Sequence, residues 1–346
     1  MTAIDLGRQQ YSEQRGRAFL EDLVRRAEAL PSVTAATVMS HVPFGNDGWG
    51  ITDVSIDGPI PGTKNDRLSS ASAIVGPRFF ETAGVTLLRG RVFTRTDTGT
   101  SRRVAVINET MARALWPERD VIGQRFRVYG DWVEVVGVAR DGKYLMVYED
   151  ARPYFYLPLS QHYKSPMTVL VRSASDPAGL ASPLRRLLRE MDPDLPPYNV
   201  RTVEDHIQGS VFGLMPMRVA ASMAGVQGLI GLCLAVMGLY AVVSYAVARR
   251  TREIGIRMAL GAKPRNVMRL VVREGMWLSL VGMAIGLLVA FGVGLVLSRL
   301  LYGVAPLDVA VLVSVTALLV TVSALACYVP ARRATRVDPL VTLRYE

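Results

Sequence analysis

The chain has 346 residues, half of them apolar, with 40 Lys or Arg against 30 Asp or Glu and a net charge of +10. The excess is localised: residues 1–217 hold 26 basic and 25 acidic side chains, whereas residues 218–346 hold 14 and 5. It flanks long apolar runs, where the positive-inside rule accounts for it, so the basic balance gives no support to nucleic-acid binding.

In chain order, "FLEDLVRRAEAL" repeats apolar residues at Phe19, Leu23, Ala27 and Leu30, which predicts a helix stopped by Pro31. "VTAATVMSHV" reads as a buried strand. "RVAVINETMARALWPE" predicts a strand through Ile107, Asn108 as N-cap, and a short helix ended by Pro117. "QRFRVYGDWVEVVGVARD" predicts a hairpin turning near Gly130 and Asp131. Strands over "YFYLPL" and "MTVLVRS" follow, then a helix starting at Asp176 and a proline-rich connection, "MDPDLPPYNV". Mixed short strands and helices predict an α+β domain of two lobes over residues 1–210.

Residues 211–346 predict an all-α transmembrane domain with three visible spans, about 219–248, 275–298 and 309–331, each free of charge and longer than the roughly 20 residues that cross a bilayer. The absence of ionisable side chains within the spans argues against an ion-coupled carrier. Gly282, Gly286, Ala290 and Gly294 recur at intervals of four, a small-residue face suited to close helix packing. Cys233 and Cys327 fall inside spans and predict neither a disulfide nor a metal ligand. Eight Lys or Arg follow the first span and one follows the second, which places the first loop and the C-terminus in the cytoplasm and the N-terminal domain outside. A domain of that size needs an upstream span to cross, and "MTAIDLGRQQ" does not resemble a signal peptide.

Catalytic signatures are weak. "GVARDGKY" matches seven of eight positions of a phosphate-binding loop, but Tyr144 stands where magnesium requires Ser or Thr, so a β-turn is expected instead. His41, His162 and His206 are scattered, and His41 beside Ser40 reads as a strand-end residue. "PFGNDGWG" reads as a flexible loop able to contact a partner. No catalytic, cofactor-binding or metal-binding residue is assigned.

The sharpest feature is "RRTREIGIRMALGAKPRNVMRLVVRE", residues 249–274. Ile254 and Met258 are four apart, as are Ile256 and Leu260, so a short amphipathic helix is expected. Gly261 would stop it, and Pro264 would start the next helix, with Val267, Leu270 and Val271 on one face. A basic helix lying on anionic lipid would explain the charge. It would not require Glu253, Gly255 or the compact "ALGA" turn.

"RTREIGIRMALGA" followed by "VVREG" resembles the signature of FtsX-like permeases of the MacB-type branch of ABC transporters. "VAVINETMARALWPERDVIGQRF" and "EVVGVARD" resemble the MacB-type periplasmic core domain. The resemblance implies a multi-pass protein of the bacterial cytoplasmic (inner) membrane, with an extracytoplasmic domain between a first span, not visible here, and a second. It implies dimerisation with a second permease protomer or tandem half, an ABC ATPase subunit that binds ATP in place of any cofactor in this chain, a periplasmic partner, and contact with membrane lipid. ATP-driven closure would move the outer domain, for export or mechanotransmission. The residues expected to engage the ATPase are Glu253, Ile254, Gly255, Arg257, Met258, Gly261 and Ala262, with Ile254 and Met258 as an apolar knob and Arg257 pairing with an acid. The alternative is a membrane-anchored sensor or binding protein with an extracytoplasmic ligand domain, which has no use for such a helix.

Overall fold

The computed structural model describes residues 1–45, 50–63, 65–117, 119–250, 253, 256, 264–300 and 309–334. They fall into two units, Met1–Arg218 and Val219–Glu346.

The first unit is an α+β domain whose strands are β1 (Thr2–Ile4), β2 (Val33–Met39), β3 (Thr52–Ile56), β4 (Leu68–Val75), β5 (Leu87–Gly90), β6 (Val104–Asn108), β7 (Arg125–Val128), β8 (Asp131–Ala139), β9 (Tyr154–Pro158) and β10 (Met167–Ser173). They pair in the order β1-β10-β2-β4-β3-β7-β8-β6-β9, with β5 on β8. β4 is the pivot. Its first residues pair with β3, Ala71–Val75 run parallel to β9, and Val75 meets Met39 of β2. The β4–β9 pairing closes six strands into a ring, and β2, β10 and β1 extend from it as an antiparallel wing.

The ring is filled by Val54, Ile107, Val133, Val135 and Leu157 around Phe126 and Phe155, whose rings meet edge-on at 5.4 Å. Helix α3 (Glu109–Leu115) adds Met111 and Leu115 to this core. On the wing, α1 (Glu13–Glu28) and α4 (Ala181–Met191) bury Leu20, Leu23, Leu184 and Leu188 against Ile4, Val38, Met167 and Val169. A third cluster gathers Phe79 and Phe80 of α2 (Phe79–Ala83) with Met39, Val106, Tyr144, Tyr156 and Leu170.

The local expectations largely hold. Asn108 caps α3, its Oδ1 accepting from Met111 N at 3.0 Å. The β7–β8 hairpin turns at Tyr129 and Gly130, both left-handed at φ 53° and 92°, with Asp131 already paired to Val128. Asp176 caps a short 3-10 turn, Pro177–Leu180, that leads into α4. The proline-rich connection returns to the wing edge, where Tyr198 bridges Ala3, and then forms α5 (Val203–Gly209), capped by Thr202.

The second unit holds α6 (Met215–Arg249) from Val219 onward, α7 (Pro264–Leu300) and α8 (Val309–Ala334). All three are long and apolar enough to cross a membrane. The 35 residues of α6 extend about 50 Å, beyond a hydrocarbon core of about 30 Å. Their large side chains point outward, Leu229 at 63% and Leu288 at 73% exposure, as suits helices whose solvent is lipid. Hydroxyls along them bond back to their own helix, as Ser279 does to Gly275 O and Thr316 to Leu312 O, leaving no polar group facing hydrocarbon at those positions.

Candidate functional site

The basic stretch joins the ends of α6 and α7. Arg250, one residue beyond α6, donates through Nη1 to both carboxylate oxygens of Glu274 at 2.8 and 2.9 Å, tying the two ends of the segment together. Both side chains are 51% exposed, so the pair contributes at most about 1 kcal/mol and acts mainly as a register pin. The pair also lines a cleft of about 170 Å³ between Val243 and Val247 of α6 and Leu270 and Val271 of α7, to which Glu253 contributes. Glu253 and Ile256 are helical and exposed, and α7 starts at Pro264 as expected. The remaining candidates, Ile254, Gly255, Arg257, Met258, Gly261 and Ala262, lie outside the described residues.

On α7, Gly282, Gly286 and Ala290 are exposed and Gly294 is half-exposed. A Cβ added at Gly282 or Gly286 would meet nothing within 4 Å. Within the second unit the close approach occurs about two turns earlier, at Gly275. A Cβ at Gly275 would come 2.5 Å from Cys327 Sγ of α8 and 3.1 Å from Val243 of α6. The signal was present in the sequence, since Gly275 and Ser279 are also small residues four apart.

In the outer domain, "GVARDGKY" is neither a phosphate loop nor a β-turn. After β8 it runs without regular structure, and its groups are committed internally. Asp141 accepts from Thr110 N at 2.9 Å and Thr110 Oγ1 at 2.7 Å at the start of α3 and pairs with Arg113, while its own amide donates to Glu109 Oε2. Lys143 Nζ donates to the Glu149 carbonyl. The amides of Tyr144 and Leu145 donate to Glu149 Oε1 at 2.5 and 3.0 Å, and Arg152 pairs with Oε2 at 2.8 Å. A buried carboxylate thus occupies two amides that a phosphate loop would turn toward its nucleotide.

The same segment walls a cavity of about 630 Å³, whose aromatic lining is Phe44, Phe79, Tyr144, Tyr154 and Tyr156 and whose lining includes residues of α5. Tyr144 stacks on Tyr154 with ring centres 3.7 Å apart and planes 8° from parallel. Burial pushes all three tyrosine hydroxyls up, so they are neutral hydrogen-bonding groups at physiological pH. Sequence reasoning missed this cavity because its walls come from six separated segments.

The histidines are structural. His41 Nδ1 lies 2.9 Å from Ser40 Oγ, which also accepts from Ile74 N, so the serine stitches β2 to β4 at the strand end. His206 Nε2 meets Pro43 O at 2.8 Å. Burial, reinforced by Arg103, pushes His162 down to about 4. Among the described residues no three His, Cys, Asp or Glu side chains are grouped to hold a metal. The "PFGNDGWG" loop lies partly outside the described residues, which include buried Phe44 with φ 60°.

Residues 3–187 match the MacB-like periplasmic core domain, and residues 225–339 match the FtsX-like permease C-terminal domain. The chain belongs to the MacB/FtsX-like family of ABC transporter permeases. It is a multi-pass protein of the bacterial inner membrane with an extracytoplasmic N-terminal domain. It is 28% identical over 349 residues to the macrolide export ATP-binding/permease protein MacB of Hahella chejuensis, covering 93% of this chain and 50% of that protein. It is 31% identical over 296 residues to MacB of Escherichia coli O157:H7, covering 81% and 44%. The uncharacterized ABC transporter permease YknZ of Bacillus subtilis is 25% identical over 266 residues, covering 74% and 65%. The chain therefore spans about half the length of the MacB proteins it matches. Among solved structures, the periplasmic region of MacB from Actinobacillus actinomycetemcomitans aligns at 16% identity and a TM-score of 0.39, covering 55% of this chain and 83% of that one. The extracellular domain of YknZ from Gram-positive bacteria aligns at 16% and 0.37, covering 52% and 89%.

Proposed function

We propose that the chain transmits ATP-driven motion across the membrane. A nucleotide-binding ATPase, on the same or a separate polypeptide, docks on the segment around Ile254 and supplies the hydrolysis, so that ATP is bound by that partner and not by this chain. Closure of the ATPase, acting on two permease protomers or tandem halves, moves the outer domain for export or mechanotransmission, with a periplasmic partner receiving the motion. The observation that carries this reading is the "TREIGIRMALGA" segment, an apolar pair at Ile254 and Met258 within a cationic loop whose ends are pinned by Arg250 and Glu274. Apolar knobs on a short helix suit a protein groove, and the surrounding cations orient it.

The test is recovery of the ATPase with variants purified in detergent. Ile254→Asp would place an unpaired carboxylate in an apolar groove at a cost of about 4 kcal/mol, roughly a thousandfold in affinity. ATPase recovery should collapse while membrane insertion stays normal. Arg249→Gln, which leaves the Arg250–Glu274 pair in place, should leave recovery nearly intact, because lipid charge is absent from the micelle. Unchanged recovery with Ile254→Asp would remove the docking role.

A further inference from the structure

We propose that the cavity of the outer domain is a binding site for a small acidic amphiphile, a molecule with an apolar and preferably aromatic body carrying one carboxylate or sulfonate. Its volume of about 630 Å³ lies within the range of roughly 300–1,000 Å³ typical of small-molecule sites. Its walls have the mixture such sites use. Phe79, Leu170 and Met39 supply apolar surface, and Tyr144, Tyr154 and Tyr156 supply aromatic faces with polar tips.

Two observations point to a ligand rather than to a packing gap. Phe79, Tyr144, Tyr154 and Tyr156 gather on one cavity that no side chain of the described residues fills, so their apolar and aromatic surface is left for an occupant. The charges at the lining are also unbalanced. Arg140 is exposed at the cavity and forms no ion pair among the described residues, and Lys143 is satisfied only by a carbonyl. The one acid of that segment, Asp141, is already committed to Thr110 and Arg113. An anionic group on the ligand would meet Arg140, while the body fills the aromatic interior against the tyrosine rings.

The site's position gives binding a consequence. Val203, His206 and Ile207 of α5 form part of the wall, and Ile207 O accepts from Leu214 N at 2.8 Å, immediately before α6 begins. An occupant therefore touches the segment that feeds the first described span. The inference is independent of the ATPase, because it concerns the outer domain alone.

The experiment is equilibrium dialysis of a naphthalene carboxylate, and separately of its neutral alcohol, against the full chain in nanodiscs of zwitterionic lipid, with empty nanodiscs as reference. The carboxylate should bind saturably at one equivalent per chain and more tightly than the alcohol. Arg140→Gln should weaken the carboxylate about fivefold or more and leave the alcohol unchanged, the effect of losing one charge-assisted hydrogen bond. Ala83→Trp, at an exposed position on the cavity wall, should abolish binding of both. Because Arg140 pairs with no acid among the described residues, its neutral variant keeps the test independent of how the tryptophan variant folds. Absence of saturable binding up to about millimolar ligand, equal binding by Arg140→Gln, or an alcohol that binds as tightly as the acid would each overturn the proposal.

Discussion

Asn108→Ala should open the outer domain locally, because this side chain serves three backbone groups at once. Asn108 is fully buried. Its Oδ1 accepts from Met111 N and from Tyr154 N, each at 3.0 Å, and its Nδ2 donates to Arg152 O at 2.8 Å. It therefore caps α3 and pins β9 to the end of β6. Truncation removes a cap worth about 1 kcal/mol and strands two further buried groups at about 1–3 kcal/mol each, about 3–5 kcal/mol in total after some water entry. Asn108→Ser keeps an N-cap acceptor for Met111 N but cannot reach Tyr154, so it should lose about 2 kcal/mol. The assay is amide hydrogen exchange of the full chain in detergent, followed at β6, α3 and β9. A loss of about 4 kcal/mol accelerates exchange there roughly a thousandfold. Acceleration below about tenfold for Asn108→Ala, or a serine variant no better than alanine, would refute the three-group account.

Three further outcomes follow from the same structure. The His162 imidazole has a folded value of about 4, below its ordinary 6.5, so the unfolded chain takes up the proton first; stability is full above about pH 7 and falls as pH drops from 6.5 toward 4. Thermal unfolding of the outer domain should lose about 1–2 kcal/mol between pH 7 and 5 through this residue, and His162→Gln should flatten that part of the profile. Gly275→Ala should lower the thermal stability of the full chain by about 1–3 kcal/mol through the clash with Cys327 Sγ, and adding Cys327→Ala should recover much of it; purely additive losses would contradict the close approach. Glu149→Ala strands the amides of Tyr144 and Leu145 and should loosen residues 140–152 to limited proteolysis, whereas an unchanged digestion pattern would contradict its role as the loop's internal anchor.

Elements governed by local chemistry were legible in the sequence. Asn108 announced its cap, Gly130 the hairpin turn, Pro264 the start of α7, and the uncharged runs their spans. The elements that went unseen depend on distant partners. β4, "LSSASAIV", shows no apolar alternation because it pairs with three strands and is buried along most of its length. Small side chains suit that crowding, and Ser72 is satisfied by Gly50 O at 2.9 Å. β1 is three residues long and depends on β10 and on Tyr198, both more than 160 positions away. α5 is seven residues after a proline-rich stretch, too short for helical periodicity to register. The cavity behaves likewise, since no single segment carries its chemistry. The docking residues around Ile254 were the reverse case, with sequence spacing carrying what can be said of them.

The central claim is that the segment around Ile254 touches an ATPase. A photo-crosslinking amino acid placed at residue 254 of the full chain, expressed and irradiated in the membranes of its own host, tests it most directly, with the same group at the lipid-exposed Leu229 as reference. Mass spectrometry of the adducts should identify a nucleotide-binding domain joined at position 254 and none at position 229. Adducts with lipid alone at position 254, in membranes where the ATPase is present, would contradict the account.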